Sequence, residues 1–296
     1  MSFLGSRSIV FLGTPEPAAR VLGDLVSAGF PVSSVVTRAD VRRGRGSTAS
    51  PSPVKRVAME LGVAVQHDTA GLAGSAQGSL LGVVVAYGRI ISPRILSVVP
   101  MVNVHFSLLP RWRGAAPIER AILAGDETTG VCLMDVVDEL DAGGVFARGE
   151  IRIGESNADE LTERLTELGS QMLIDLLSGD LVVPAEQQGE ITYAEKITAG
   201  EGRIEWSDDA RAVLRRIRAL RAHTTVEGRR MIVHSALAVD RGTHDAARPG
   251  DCDGSATVVC GSGAVQLVEV QPEGKGTMDA REWRRGRREA VVALGS

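Results

Sequence analysis

The sequence predicts an α/β fold: a doubly wound, mainly parallel sheet followed by a second, smaller C-terminal β-barrel of OB-like type. Three patterns predict it. Leu81 to Tyr87 is a continuous apolar run, the mark of a strand buried on both faces as parallel sheets require. Through the first half of the chain, short apolar runs alternate with helical stripes at the spacing of strand–helix–strand units. Beyond Asp209 the pattern changes to apolar–polar alternation broken by glycine turns, which suits a small closed antiparallel sheet. The expected division is a domain over 1–180, a linker over 181–208 and a barrel over 209–296.

Taken in order, Ile9 to Leu12 opens the sheet, and Gly13-Thr14-Pro15 turns into a helix from Glu16 to Ala28 that Gly29 stops. The turn lacks G-x-G-x-x-G, so no dinucleotide is implied. Val32 to Thr37 is the second strand. Arg38 to Ser50 has no apolar run and reads as an exposed loop, where Arg42, Arg43 and Arg45 lie beside glycines that let the backbone approach a phosphate. Ser52-Pro53 caps a helix with the stripe Val54, Val57, Ala58 and Leu61, and Val63 to Gln66 follows as a strand. The central run Leu81 to Tyr87 comes next, after a stretch of weak pattern.

Met101 to Pro117 gathers the chemistry. Val102 and Val104 alternate with Asn103 and His105, so a strand sets the two polar side chains on one face, about 7 Å apart. An amide that donates and an imidazole that exchanges protons near neutral pH suit acyl chemistry; they equally suit two satisfied polar groups closing a loop. Ligands of a doubly wound sheet sit beyond the carboxyl ends of its strands, which is where this pair falls. Pro110 fixes a turn over Ser107 to Pro110, and Gly114 and Pro117 lead into a helix through Ile118, Ile122 and Leu123.

Val131 to Val137 is a further strand, and Asp138 to Gly144 a turn-rich acidic loop. Asn157 to Leu177 is the clearest helix, with Leu161, Leu165, Leu168, Met172 and Leu176 on one stripe and Asn157/Glu160 as a capping pair. Ser178 to Glu201 loses periodicity, with Thr192 to Ile197 expected to lie against the first domain. Asp209 to Ala222 is helical, with Val213, Leu214, Ile217 and Leu220 facing inward and Arg211, Arg215 and Arg218 forming an exposed face. Arg230 to Val239, Ala256 to Cys260 and Val265 to Gln271 read as strands, and Asp279 to Ala293 as a basic helix.

Composition bounds the function. At 44% apolar and 24% charged, the 296 residues fit a soluble globular protein with a full core. Aromatics at 3% are too sparse for stacking on single-stranded bases. Cys132, Cys252 and Cys260 form neither a disulfide framework nor a zinc pattern, so a reducing cytoplasm and no metal are expected. No signal peptide or membrane span is read, and a monomer is expected. From Asp209 onward there are 15 basic against 11 acidic residues, whereas the whole chain carries −4. A basic module joined to an acidic one suits a polyanionic partner.

The run N-x-H-x-S-L-L-P into W-R-G-A-A-P at Asn103 to Pro117 resembles the signature of the 10-formyltetrahydrofolate-dependent formyltransferases. The resemblance continues in order through GTPEPAA at Gly13, PSPVK at Pro51, VVAYG at Val84, LDAGG at Leu140, TYAEKI at Thr192, RIEW at Arg203 and QPEGKGTM at Gln271. It implies a Rossmann-like catalytic domain and formyl transfer from 10-formyltetrahydrofolate to the α-amine of methionine on initiator tRNA. By the same resemblance Asn103, His105 and Asp141 are catalytic. Tyr87, Gly88, Ser107, Leu108, Leu109 and Pro110 meet the folate. The family's insertion, here the loop with Arg42, Arg43 and Arg45, contacts tRNA, and Arg211, Arg215 and Arg218 on the barrel's helix are expected to join it through their charge. The chain departs from the family pattern at Phe106, Ala142, Gly144 and Arg221 to Thr225. Three rivals stay open: a small amine acceptor such as an amino sugar, hydrolysis of 10-formyltetrahydrofolate, and a non-catalytic folate- or RNA-binding protein.

Overall fold

The computed structural model describes residues 3, 5–42, 49–75, 79–239 and 248–295. The chain forms two compact units. One comprises Met1–Pro117, Thr128–Arg152 and Leu161–Glu195; the other comprises Ile118–Glu127, Ile153–Glu160 and Lys196–Ser296.

The first unit is built on a seven-stranded sheet. Its order is Val145–Arg152, Thr128–Asp135, Met101–His105, Leu80–Val85, Ser8–Gly13, Val32–Val36, Ala64–Gln66. The five strands from Met101–His105 to Ala64–Gln66 pair in parallel and the other two antiparallel, the doubly wound arrangement expected. Leu80–Val85 is buried throughout, as its unbroken apolar run requires. On Glu16–Ser27, residues Ala18, Ala19, Val21, Leu22 and Leu25 are buried at the three- and four-residue spacing of one helical face. Ser52 caps Pro53–Glu60, its Oγ accepting from Lys55 N at 3.0 Å.

The helix Ala158–Ser178 begins with the expected reciprocal cap, Asn157 N donating to Glu160 Oε2 and Glu160 N to Asn157 Oδ1. Gly169 brings this helix so close to the sheet that a Cβ there would stand 2.9 Å from Val104 Cγ1. Val104 therefore faces the helix. Strand alternation turns Asn103 and His105 to the opposite face.

Two strands of this sheet depart most from the sequence reading. The strand expected over Val131 to Val137 spans Thr128–Asp135, because Thr128, Thr129 and Gly130 pair with Val145–Arg152 despite their polar character. Val145–Arg152 itself went unread: it is an edge strand whose alternation mixes Arg148, Glu150 and Arg152 with half-exposed positions.

The second unit contains a seven-stranded antiparallel sheet, ordered His223–Val226, Arg229–Val239, Ala264–Pro272, Thr257–Val259, Asp251–Cys252, Val292–Ala293, with Met278–Asp279 pairing beside Ala264–Pro272 off that path. A bridge between Val226 and Leu294 joins its two ends into a barrel. Val213 and Ile217 of the helix Ala210–Ala219 share its core with Val233, Val258, Val265, Leu267 and Trp206. Asp209 caps that helix through Arg211 N and Ala212 N. The helix expected over Asp279 to Ala293 is confined to Ala280–Arg285, ending at Gly286. Beyond it the chain turns back to the barrel, because buried Arg284 holds the carbonyls of Asp253, Glu289 and Ala290.

Among the described residues no helix is long and apolar enough to cross a membrane.

Candidate active site

His105 closes its strand and is 6% exposed. Its Nε2 lies 2.9 Å from the Trp112 carbonyl oxygen, which can only accept, so Nε2 carries a proton. Nδ1 stands 3.7 Å from Asp141 Oδ2. Asn103, two residues earlier on the same face, is half-buried, and its amide has no hydrogen-bond partner among the described residues. The structure thus brings all three polar residues of the sequence reading to the carboxyl end of one sheet.

Asp141 is placed by backbone. It takes a left-handed conformation, φ 49°, and its Oδ2 accepts from Gly114 N at 2.8 Å. Gly114 follows the turn after His105 and has φ 123°. The pair Arg113–Gly114 forms a short parallel ladder with Tyr193–Ala194, so the expected contact of Thr192 to Ile197 with this unit is met over Thr192 to Ala194, whereas Lys196 and Ile197 belong to the second unit. A Cβ on Gly114 would meet the Ala194 carbonyl oxygen at 2.8 Å.

A second ring of contacts was not read from the sequence. Arg113, 5% exposed, donates from Nε and Nη2 to Gln187 Oε1 at 3.1 and 2.8 Å, and from Nη1 to Glu139 at 3.0 Å. Gln187 Nε2 donates to the carbonyls of Asp141 and Gly143, each at 2.8 Å. Trp112 N donates to Thr192 Oγ1. Arg113 and Thr192 lay inside recognisable motifs, but Gln187 sits in a stretch without periodicity and carried no signal. The same stretch accounts for Gly144: a Cβ there would stand 2.9 Å from Pro184 Cβ, leaving no room for a longer side chain without a shift.

The residues expected at the folate divide by chemistry. Val84 and Val85 pair with Asn103 and Val104, so Ala86-Tyr87-Gly88 ends beside His105. The Tyr87 side chain packs with Val10, Leu12, Ile91 and Ile95, and burial pushes its phenol above the usual range. What this segment offers a ligand is therefore backbone. Ala86 and Gly88 are both left-handed, and no heavy atom lies within 4 Å of where a Cβ on Gly88 would sit. Ser107 is fully buried and donates to the Arg111 carbonyl at 2.6 Å; Leu109 is packed with Cys132 and Met134; Pro110 is buried behind a cis peptide. Leu108 is half-buried.

Of the arginines, Arg42 is exposed on a two-residue ladder with Ala49–Ser50, and Arg43 and Arg45 lie outside the described residues. Arg211 is exposed. The exposed face expected over Arg211, Arg215 and Arg218 is corrected at its other two members. Arg218 donates to the Gly154 carbonyl at 2.6 Å and pairs with Glu155, and Arg215 lies against Gly125. Their helix packs against chain segments that arrive from far earlier in the sequence, which periodicity within the helix cannot reveal.

Residues 6–177 match the formyl transferase family, and residues 196–288 match the formyl transferase C-terminal domain. A methionyl-tRNA formyltransferase of Methylococcus capsulatus is 41% identical over 97% of this chain and 99% of its own length. One of Clavibacter sepedonicus is 38% identical over 94% and 96%. Among solved structures, HypX from Aquifex aeolicus in complex with tetrahydrofolic acid superposes with a TM-score of 0.66 at 18% identity, covering 94% of this chain and 47% of that one. The N-formyltransferase from Helicobacter canadensis, in complex with folinic acid and dTDP-3-aminofucose, gives 0.65 at 13% identity over 88% and 99%. At those identities the structural likeness speaks for the fold alone.

Proposed function

The chain belongs to the formyl transferase family, and from that premise we propose that it transfers a formyl group from 10-formyltetrahydrofolate to the α-amine of methionine carried by initiator tRNA. The observation that carries this reading is the near full-length likeness to methionyl-tRNA formyltransferases, in both units at once. The cluster of Asn103, His105 and Asp141 supports it with chemistry.

The folate supplies an electrophilic formyl carbon and a nitrogen leaving group. The backbone of Ala86 to Gly88, left-handed and open at Gly88, would hold the pterin end beside His105. When the amine attacks the formyl carbon, negative charge gathers on oxygen and positive charge on nitrogen, so the site needs a donor for one and a proton acceptor for the other. The Asn103 amide is the donor. His105, with Nε2 held by the Trp112 carbonyl, donates to the oxygen through Nδ1 when both ring nitrogens carry a proton. Asp141 takes up the amine proton, directly or through water. The new bond joins amine nitrogen to formyl carbon, the bond to the folate nitrogen breaks, and that nitrogen leaves with a proton. An aligned oxyanion donor is worth about 10² to 10³ in kcat.

The exposed Arg211 and Arg42 and the basic balance beyond Asp209 suit a polyanionic acceptor. Incubation with 10-formyltetrahydrofolate and charged initiator tRNA tests the reading: N-formylmethionine should be recovered from the tRNA. Formate released without acceptor would point to a hydrolase, and formylation of an amino sugar alone to a small-amine enzyme.

A further inference from the structure

We propose that Gln187 is the positioning residue that sets Asp141 against His105, an inference resting on the proposed reaction for its meaning but not for its geometry. Gln187 uses its whole amide. Two N–H bonds hold the carbonyls of Asp141 and Gly143, on either side of the loop's turn, and the Oε1 receives both bonds from the Arg113 guanidinium. Arg113 adjoins Gly114, whose N–H grips the Asp141 carboxylate. Gln187 therefore ties the loop's backbone to Arg113, the chain neighbour of the residue whose N–H holds the Asp141 carboxylate, closing a ring of Gln187, Asp141, Gly114 and Arg113.

The ring is needed because of how Asp141 is built. A non-glycine residue at φ 49° is not a conformation the chain holds by preference, and strain of this kind persists only where surrounding bonds over-determine it. Asp138 to Ala142 offers no such bonds from regular structure; the loop lies between two strands. A carboxylate cannot replace the amide, since it has no proton to give the two carbonyls, and a leucine of similar size bonds neither side. Gln187 touches no reacting atom; it acts through Asp141.

Two variants test this. Gln187→Leu removes all four bonds, and Gln187→Glu keeps the acceptor for Arg113 while losing the donors. Gln187 is only half-buried, so both should retain the parent's cooperative melt. If the leucine variant does not fold, the isosteric glutamate carries the test. The expected result is kcat lowered by about tenfold to a hundredfold, the scale of a small misplacement of a catalytic group, with KM for folate and tRNA little changed. In an Asp141→Asn background the same change should cost nothing further, because the residue it positions is gone. Hydrogen exchange at the Gly114 amide, whose acceptor is the Asp141 carboxylate, should quicken roughly tenfold in both variants whether or not the parent formylates. Failure of the parent to formylate would thus overturn the proposed function and leave the exchange result to decide this one. Parent-like exchange at Gly114, parent-like kcat, or losses that multiply with Asp141→Asn would each overturn the role of Gln187.

Discussion

Gly114 and Asp141 stand 27 residues apart and are joined by one hydrogen bond, the N–H of the first donating to Oδ2 of the second at 2.8 Å. The bond fixes on backbone the same carboxylate oxygen that faces His105 Nδ1 at 3.7 Å. It also makes the shape of the turn after His105 a condition of the chemistry proposed for Asp141, which yields the first of four predictions.

Gly114→Ala should impair both stability and turnover. The new methyl group would be held at φ 123° and pressed against the Ala194 carbonyl oxygen, at a cost of about 1 to 3 kcal/mol. A lower Tm together with a lower kcat is expected; an unchanged melt with full activity would show that the ladder with Tyr193–Ala194 yields easily.

His105→Ala and Asp141→Asn should each lower single-turnover formylation by orders of magnitude while folate binding survives. His105 presents Nδ1 and Asp141 a carboxylate 3.7 Å away, and neither function remains in the variant. Rates within about tenfold of the parent in both variants would remove them from the mechanism.

The arginines should separate into two kinds. Arg211→Ala, and Arg45→Ala in the loop, should weaken tRNA binding, and each lost phosphate contact should flatten the salt dependence of affinity by about one unit of slope. A charged hydrogen bond is worth roughly 1.5 to 3 kcal/mol, so kcat/KM for tRNA should fall at least tenfold for Arg45→Ala with folate affinity unchanged. Arg218→Ala should instead lower the melting temperature, since its partners are Gly154 and Glu155. Titration of tRNA at several salt concentrations beside thermal melts distinguishes them.

Acid should find the ion pair of Arg120 with Glu201. Arg120 Nη1 lies 2.5 Å from Glu201 Oε2, and with the Thr198 backbone it holds the Glu201 carboxyl down to about 2 from its ordinary 4.5. The folded form therefore binds this proton less readily than the unfolded one. The contribution to stability is complete above pH 4.5 and fades as pH falls toward 2. The melting temperature of Glu201→Gln should lie below that of the parent at neutral pH, with the gap closing across that window. A gap that is constant from pH 7 to 2 would deny the linkage.

What the sequence made legible follows from what is local. A strand buried on both faces announces itself, as Leu80–Val85 does, and so does a reciprocal cap such as Asn157 with Glu160. Strand alternation alone put Asn103 and His105 on one face. The family motif added Asp141, which the acidic loop by itself did not distinguish from solvated surface. Contacts between distant segments left no periodic trace. Val145–Arg152 was hidden because an edge strand mixes charge into its pattern, and Gln187 because an amide making four bonds to three residues looks, in sequence, like any linker glutamine. Arg215 and Arg218 were misjudged for the same reason, since a helix shows its polar side without showing what covers it.

The two units also bear on how the molecule can be taken apart. The chain passes from one to the other five times, and the second unit includes Ile118–Glu127 and Ile153–Glu160 as well as everything from Lys196. No single cut therefore releases it as a cassette. A fragment that begins at Asp209 keeps the barrel strands but abandons Glu201 and Trp206, along with the carbonyl that receives Arg218. Grafting the barrel onto another formyltransferase would need three inserted pieces rather than one fusion point, and a calorimeter should record the barrel melting only together with the helix Pro117–Ala124.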